Sequence, residues 1–363
     1  MKRPRVYATC NIGEEALQRL VALGYELDVH DGFDPPPKSV LLEKVGSGVD
    51  ALIVTLRDYV DEEILLAGRG TLKVIAQDAV GVDNIDREAA NRCRIPFTHT
   101  PDVLTDATAE FALFMMGCLA RKLYASERFV RKKQWKRWHP FLPFLGDEVS
   151  GKTVAVIGAG RIAKAFALKC AGLDMDILCH SRSGEDRLFV GSVQRLFALK
   201  SELGLTSRSP SVRYVSLEEG LRAADYVSLH VPLSPETRHL IGESTLGLMK
   251  RSAYLINTSR GAVVDERALH AALRARRIAG AALDVFETEP LPDDSPLRDP
   301  DLEDRLRLFH HAASTGRRTR LSPDPAVGMA GRCVQGVIDV LEGNYGGNPA
   351  AMPFVVNKEG FQS

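Results

Sequence analysis

The chain has 363 residues, of which 45% are hydrophobic and 26% charged, and 47 basic residues balance 47 acidic ones. That length suits two domains of roughly 100–200 residues each, with sizeable cores. With no net charge there is no global field to draw in nucleic acid or an anionic membrane, and neither is expected as a partner. The N-terminal segment has no apolar h-region, and no run of about 18 apolar residues occurs, so a cytoplasmic protein with no signal peptide or membrane span is expected. The six cysteines show no CxxC pair and no metal-ligand spacing, which reads as reduced thiols and no metal site.

In chain order, RVYAT (5–9) reads as a strand, EEALQRLVALG (14–24) as a helix ending on Gly24, and YELDVH (25–30) as a strand. The run of prolines at 35–37 is a loop, and DALIVT (50–55), LKVIAQ (72–77) and IPFTHT (95–100) are further strand-like runs. One long helix is expected from about Thr105 to Trp138, with a basic end, RKKQWKRW, read as a solvated helix terminus. Trp135 and Trp138 are expected to pack rather than to touch substrate. A second αβ series begins at Lys152, with strands at 153–157, 175–180, 224–231, 252–259 and 278–286. Residues 183–212 read as an insertion with a weak helical centre near 193–204. The tail holds a helix at 329–343 and then an irregular end. Strands alternating with helices argue for parallel α/β sheets.

Gly158-Ala159-Gly160-Arg161-Ile162-Ala163 is a GxGxxA run that follows a strand and opens a helix. Gly158 permits the tight turn, Gly160 lets a pyrophosphate approach the backbone, and Ala163 allows close helix–strand packing. The helix N-terminus offers free N–H groups to phosphate. A dinucleotide site that selects NAD carries an acid about 20 residues further on. Here that point reads Cys179-His180-Ser181-Arg182-Ser183, with no acid. A hydroxyl and a guanidinium suit a 2′-phosphate, so NADP(H) is the expected preference, with NAD(H) still usable.

Three further segments carry chemistry: Asn257-Thr258-Ser259-Arg260-Gly261, Ala282-Leu283-Asp284-Val285-Phe286-Glu287-Thr288-Glu289-Pro290, and His311-Ala312-Ala313-Ser314. Reducing a 2-oxo acid needs a cation for the carboxylate and ketone, a proton donor, and a partner that keeps the donor charged. Together with Gly81-Val82-Asp83-Asn84-Ile85-Asp86, Leu104–Glu110 and His230-Val231-Pro232-Leu233, these motifs resemble the D-isomer-specific 2-hydroxyacid dehydrogenases, over about residues 50–320. The feel is closest to the glyoxylate and hydroxypyruvate reductases. The resemblance implies that Arg260 binds substrate, that His311 is the acid/base, and that Glu289 keeps the histidine protonated. It assigns the substrate carboxylate to the backbone amides of Val80 and Gly81, and the nicotinamide carboxamide to Asp284. Thr108, Gly158, Gly160, Arg161, Ile162, Ser181, Arg182, His230, Pro232 and Thr258 complete the expected cofactor set.

The resemblance also implies two Rossmann-like domains, a flavodoxin-like substrate domain and a dinucleotide-binding domain, with a cleft between them. The substrate domain would take residues 1–103 and 320–363, and the cofactor domain residues 104–319. It implies a homodimer, to which the basic segment near 131–138 contributes. Three departures stand out: His310 where a proline usually precedes the histidine, His99 where an asparagine is usual, and Asp78 in the substrate loop where a base is usual. His311 is chosen over His310 because Ala312-Ala313-Ser314 follows it in register. The function expected is reduction of a small 2-oxo acid to the D-2-hydroxy acid. Oxidation in the manner of D-3-phosphoglycerate dehydrogenase, and an NAD(H)-binding corepressor of the same fold, stay open as alternatives.

Overall fold

A computed structural model describes residues 3–141 and 144–362. The outermost residues of the expected substrate domain, 1–2 and 363, lie outside the described residues. The chain forms two compact units, residues 1–104 with 315–363, and residues 105–314.

The first unit holds five strands: β1 (Arg5–Ala8), β2 (Glu26–Val29), β3 (Ala51–Val54), β4 (Val74–Gln77) and β5 (Phe97–Thr98). All pair in parallel, in the order β2-β1-β3-β4-β5. β3 and β4 are buried along their whole length, which is why they read as continuous apolar runs rather than alternating ones. The tail returns to this unit. Cys333, on the Met329–Leu341 helix, donates its thiol to the Ala76 carbonyl at 3.6 Å, and Gly336 sits where a Cβ would come within 2.5 Å of Thr98 Oγ1. β5 is only two residues long, shorter than the 95–100 run. The irregular end extends it through a Thr98–Val355 bridge and an Asn357 side chain that accepts from the Phe97 amide.

The second unit holds β6 (Thr153–Ile157), β7 (Asp176–His180), β8 (Val212–Tyr214), β9 (Tyr226–Leu229), β10 (Tyr254–Asn257), β11 (Gly280–Leu283) and β12 (Leu306–Leu308). They too pair in parallel, in the order β12-β11-β10-β9-β6-β7-β8. The order reverses between β6 and β9, and the carboxyl ends of strands at such a switch point open a ligand crevice. The segment 183–212 carries a helix from Arg187 to Glu202, longer than its apolar centre suggested, and β8 at the sheet edge. Asp186 caps that helix by accepting from the Phe189 amide at 2.9 Å. Phe189, Val193 and Phe197 join the core.

The single helix expected over Thr105–Trp138 is corrected to two, Thr105–Ala120 and Leu123–Arg131. Lys122 adopts φ +50°, a left-handed conformation that no helix carries through. The two pieces have different burial. The first buries seven residues, including Met115, Met116 and Leu119, and the second buries only Ala125. The basic run begins on Arg131, the last residue of the second helix, and residues 132–138 continue it outside the helix. Trp135 and Trp138 do not pack: they are 51% and 73% exposed.

Candidate active site

In the second unit the glycine turn follows β6 directly. Gly158 has φ +118°, and a Cβ there would lie 2.5 Å from the His230 carbonyl oxygen, so only glycine lets the turn rest against the end of β9. Gly160 precedes the Arg161–Gly172 helix, faces open space, and lends the helix no side-chain cap. The first amides of that helix are therefore offered to a ligand. The His230 ring lies tilted against Phe166, with 4.9 Å between centroids, and pairs through Nε2 with the Ser228 hydroxyl at 2.8 Å. Burial pushes its imidazole down to about 3, so it is a neutral packing ring. Thr108 is buried, and Pro232 is exposed, its carbonyl accepting from the Thr237 hydroxyl at 2.7 Å. The Thr258 hydroxyl is buried without a hydrogen-bond partner. Such an orphan at the end of β10 suits a site that is completed by a bound group. The open turn, the uncapped helix and this hydroxyl fit a dinucleotide.

At the end of β7, Ser181 and Ser183 share a hydrogen bond of 2.8 Å, and the exposed Arg182 points to an acid the sequence reading missed. Its Nη1 lies 3.3 Å from Glu236 Oε2, and Ser234 Oγ donates to the same oxygen at 2.6 Å. The Ser234 hydrogen bond is the main reason the Glu236 carboxyl is held below the usual range. Glu236 lies on the loop after β9, 54 positions from Arg182, so local spacing carries no sign of the pair.

Arg260, Glu289 and His311 come from the ends of β10, β11 and β12. Gly261 makes this convergence work. A Cβ on it would fall 1.8 Å from the Phe286 carbonyl carbon, so the chain after β10 lies flush on the chain after β11. Arg260 is extended (φ −142°, ψ 143°), with Nη1 donating to the Ser259 carbonyl at 2.9 Å. Glu289 Oε2 lies 2.8 Å from His311 Nδ1, and Oε1 accepts from the Phe286 amide at 3.0 Å. Burial acts to raise the Glu289 carboxyl, but the His311 hydrogen bond and charge, the Phe286 amide and the Arg260 charge together hold it below its ordinary value. His311 has φ +57°, and His310 is exposed.

Asp284 has partners within the chain. It is fully buried, and its two oxygens accept from the Ala312 and Ala313 amides at 2.7 and 2.8 Å. Its own carbonyl accepts from the His311 amide at 2.8 Å. Asp284 thus clamps the turn that presents His311.

In the first unit, the loop after β4 has its carbonyls tied from behind. The Thr100 amide holds the Ala79 carbonyl at 2.9 Å, the His99 Nδ1–H holds that of Val80 at 3.0 Å, and Gln77 Nε2 holds that of Gly81 at 3.1 Å. Among the described residues nothing accepts from the Val80 or Gly81 amide. Fixed carbonyls with free amides make an anion-binding nest. Here His99, a departure in the sequence, has a definite task.

Asp78 points into this unit rather than out of the loop. It is 4% exposed, with Arg320 3.7 Å from Oδ2 and Oδ1 unpartnered. Burial outweighs the Arg320 charge and raises its carboxyl from 3.8 to about 6. A raised value means its contribution to stability is present below pH 3.8 and lost as the pH rises through about 6. Asp78→Asn should therefore leave stability little changed at low pH and raise it by up to about 3 kcal/mol above pH 6. Urea midpoints of both proteins at pH 5 and pH 8 measure this, and a difference that does not grow with pH would refute it.

The chain is similar to known proteins along most of its length. A family model described as "D-isomer specific 2-hydroxyacid dehydrogenase, NAD binding domain" matches residues 113–312. A glyoxylate reductase of Aeropyrum pernix is 45% identical over 325 residues, which cover 88% of this chain and 90% of that protein. A solved structure from Thermus thermophilus superposes with a TM-score of 0.79 at 39% identity, covering 93% and 97% of the two chains. The structure of D-lactate dehydrogenase from Aquifex aeolicus, complexed with NAD and lactic acid, has a TM-score of 0.75 at 27% identity, covering 94% and 97%.

Proposed function

Since this chain belongs to the D-isomer-specific 2-hydroxyacid dehydrogenase family and is an NAD(P)-dependent oxidoreductase of a 2-oxo and 2-hydroxy acid pair, we propose that its substrate is glyoxylate or hydroxypyruvate, reduced with NADPH to the D-2-hydroxy acid. The relatives are glyoxylate reductases, which favours reduction over the oxidative and corepressor readings. The observation that carries the proposal is the 2.8 Å Glu289–His311 pair with Arg260 on the neighbouring strand end.

The nicotinamide, when bound, supplies the hydride. Arg260 holds the substrate carboxylate and polarises the ketone, so that negative charge developing on oxygen is met by a fixed cation. In the first unit, the Val80 and Gly81 amides are free to donate to a carboxylate. His311 delivers the proton from Nε2, because Nδ1 is committed to Glu289. Glu289 orients the ring through its contact with Nδ1. Asp284 fixes the His311 turn through three backbone contacts, and it also meets the nicotinamide carboxamide. Gly158, Gly160, Arg161 and Ile162 take the pyrophosphate; Thr108, His230, Pro232 and Thr258 line the rest of the cofactor.

Ser181 and Arg182 bind the 2′-phosphate, and Glu236 tempers them by competing for the guanidinium. NADPH should be used better than NADH, and Arg182→Ala should lose on the order of 1.5–3 kcal/mol of NADPH discrimination, the range of a charged hydrogen bond. Glu236→Gln should raise the NADPH preference in the wild-type background and do less in Arg182→Ala. The measurement is kcat/KM for both cofactors in the four proteins, over a panel of 2-oxo acids. A wild type that prefers NADH, or one that turns over no 2-oxo acid, sinks the reading.

We assign the enzyme to the cytoplasm as a homodimer. In support, no helix among the described residues is long and apolar enough to cross a membrane. Tyr124, Val130, Trp135 and Trp138 expose apolar surface within one segment, as an association surface does. Sedimentation equilibrium checks the dimer.

A further inference from the structure

The glycine turn, Arg260 and His311 all lie at the carboxyl ends of the second unit's strands. At the opposite end, where β10, β11 and β12 begin, lies a cavity of about 270 Å³. It is lined by Lys122, Arg251, Arg276 and Arg305, with Tyr254 and Asp304 among the other walls. The sequence explains this gathering. Arg251 stands shortly before β10, Arg276 before β11 and Arg305 directly before β12. Parallel neighbours all start at one end of a sheet, so residues that precede them are brought together. Lys122 joins them from the break after the Thr105–Ala120 helix.

Among the described residues none of the four forms an ion pair, and Asp304 is already engaged by Arg128. Arg305 spends one N–H on the Leu273 carbonyl. Burial, then the charges of Arg276 and Arg274, push its guanidinium below the ordinary range. Like charges held around a cavity are stabilised most by an anion that enters it. Guanidinium forks match phosphate oxygens in pairs, and Tyr254, 8% exposed, gives an apolar wall beside them.

We propose that this cavity is a second ligand site, which binds a small phosphate-bearing anion between Arg251, Arg276, Arg305 and Lys122. It is distinct from the dinucleotide's own phosphate site, which lies at the other end of the same sheet. Inorganic pyrophosphate is the probe, titrated calorimetrically into full-length enzyme saturated with NADP⁺ so that the glycine turn is occupied. The test variant is Arg251→Gln with Arg276→Asn, since position 276 has φ +53° and asparagine tolerates that conformation. Saturable binding is expected in wild type, weakened at least tenfold in the double variant. Arg251→Lys with Arg276→Lys should keep most of the affinity. Melting temperature and NADPH-dependent turnover without pyrophosphate should be unchanged in the double variant. No saturable binding in wild type, or equal binding in the double variant, overturns the proposal. So does a wild type that ignores pyrophosphate and a double variant with an altered sedimentation coefficient, which would give the cavity to a second copy of the chain.

Discussion

Replacing His311 with asparagine is expected to cut kcat for reduction by roughly 10²–10⁴, the usual weight of a general acid. His310→Ala is expected to stay within a few-fold of wild type. The difference follows from what each residue touches. His311 Nδ1 is 2.8 Å from Glu289, and its turn is held by Asp284 through the His311, Ala312 and Ala313 amides. His310 is exposed. Asparagine is the right replacement because position 311 has φ +57°, which asparagine adopts readily, so the turn survives and only the proton donor is lost. An inactive His310→Ala beside an active His311→Asn would move the assignment by one residue.

Glu289→Gln gives the same pair a pH signature. The carboxylate stands 2.8 Å from His311 Nδ1, and glutamine keeps a similar shape without the charge. In Glu289→Gln the acid limb of kcat/KM for reduction should therefore disappear. Glu289 is held below its ordinary value, so in wild type the pair is complete above the ordinary carboxylate range and fails only as the pH falls through the lowered value. An acid limb that stays in place in Glu289→Gln, with chemistry shown to be rate-limiting, would remove Glu289 from this role.

How much of this could be read in the chain depended on how local the cause was. The buried parallel strands announce themselves as apolar runs, and Gly158 with Gly160 mark their turn because the constraint sits within a few residues. The break at Lys122 gave no such signal, for no glycine or proline accompanies it; the left-handed residue is a lysine. Trp135 and Trp138 are aromatic and so read as packing residues, but residues 132–138 form no helix that could turn them inward. Glu236 was invisible because its partner is 54 positions away on another loop. Asp284 was legible as an important acid but not as a clamp, since its partners Ala312 and Ala313 are recognised only through their backbone amides. Nothing near Gly261 in the chain signals its close approach to Phe286, which lies 25 positions further on.

Arg260→Ala is expected to lower kcat by about 10²–10³, the scale of losing one fixed stabiliser of a developing oxyanion, and to raise KM for the 2-oxo acid as well. Both constants should move because one guanidinium serves the ground-state carboxylate and the charge that forms on the ketone oxygen. Arg260→Lys should rescue poorly. A lysine carries the charge but not the planar fork, and its shorter set of donors cannot keep the Ser259 carbonyl while also reaching a carboxylate in a bidentate way. A second readout separates this role from a merely structural one. The Arg260 charge is among the causes that hold the Glu289 carboxyl low. Arg260→Ala should therefore let Glu289 take up its proton at higher pH, shifting the acid limb of the residual activity upward, while Arg260→Lys leaves that limb near its wild-type place. Full kcat/KM in Arg260→Lys would show that charge alone suffices at this position. An acid limb unmoved in Arg260→Ala would show that the arginine works without coupling to the Glu289–His311 pair.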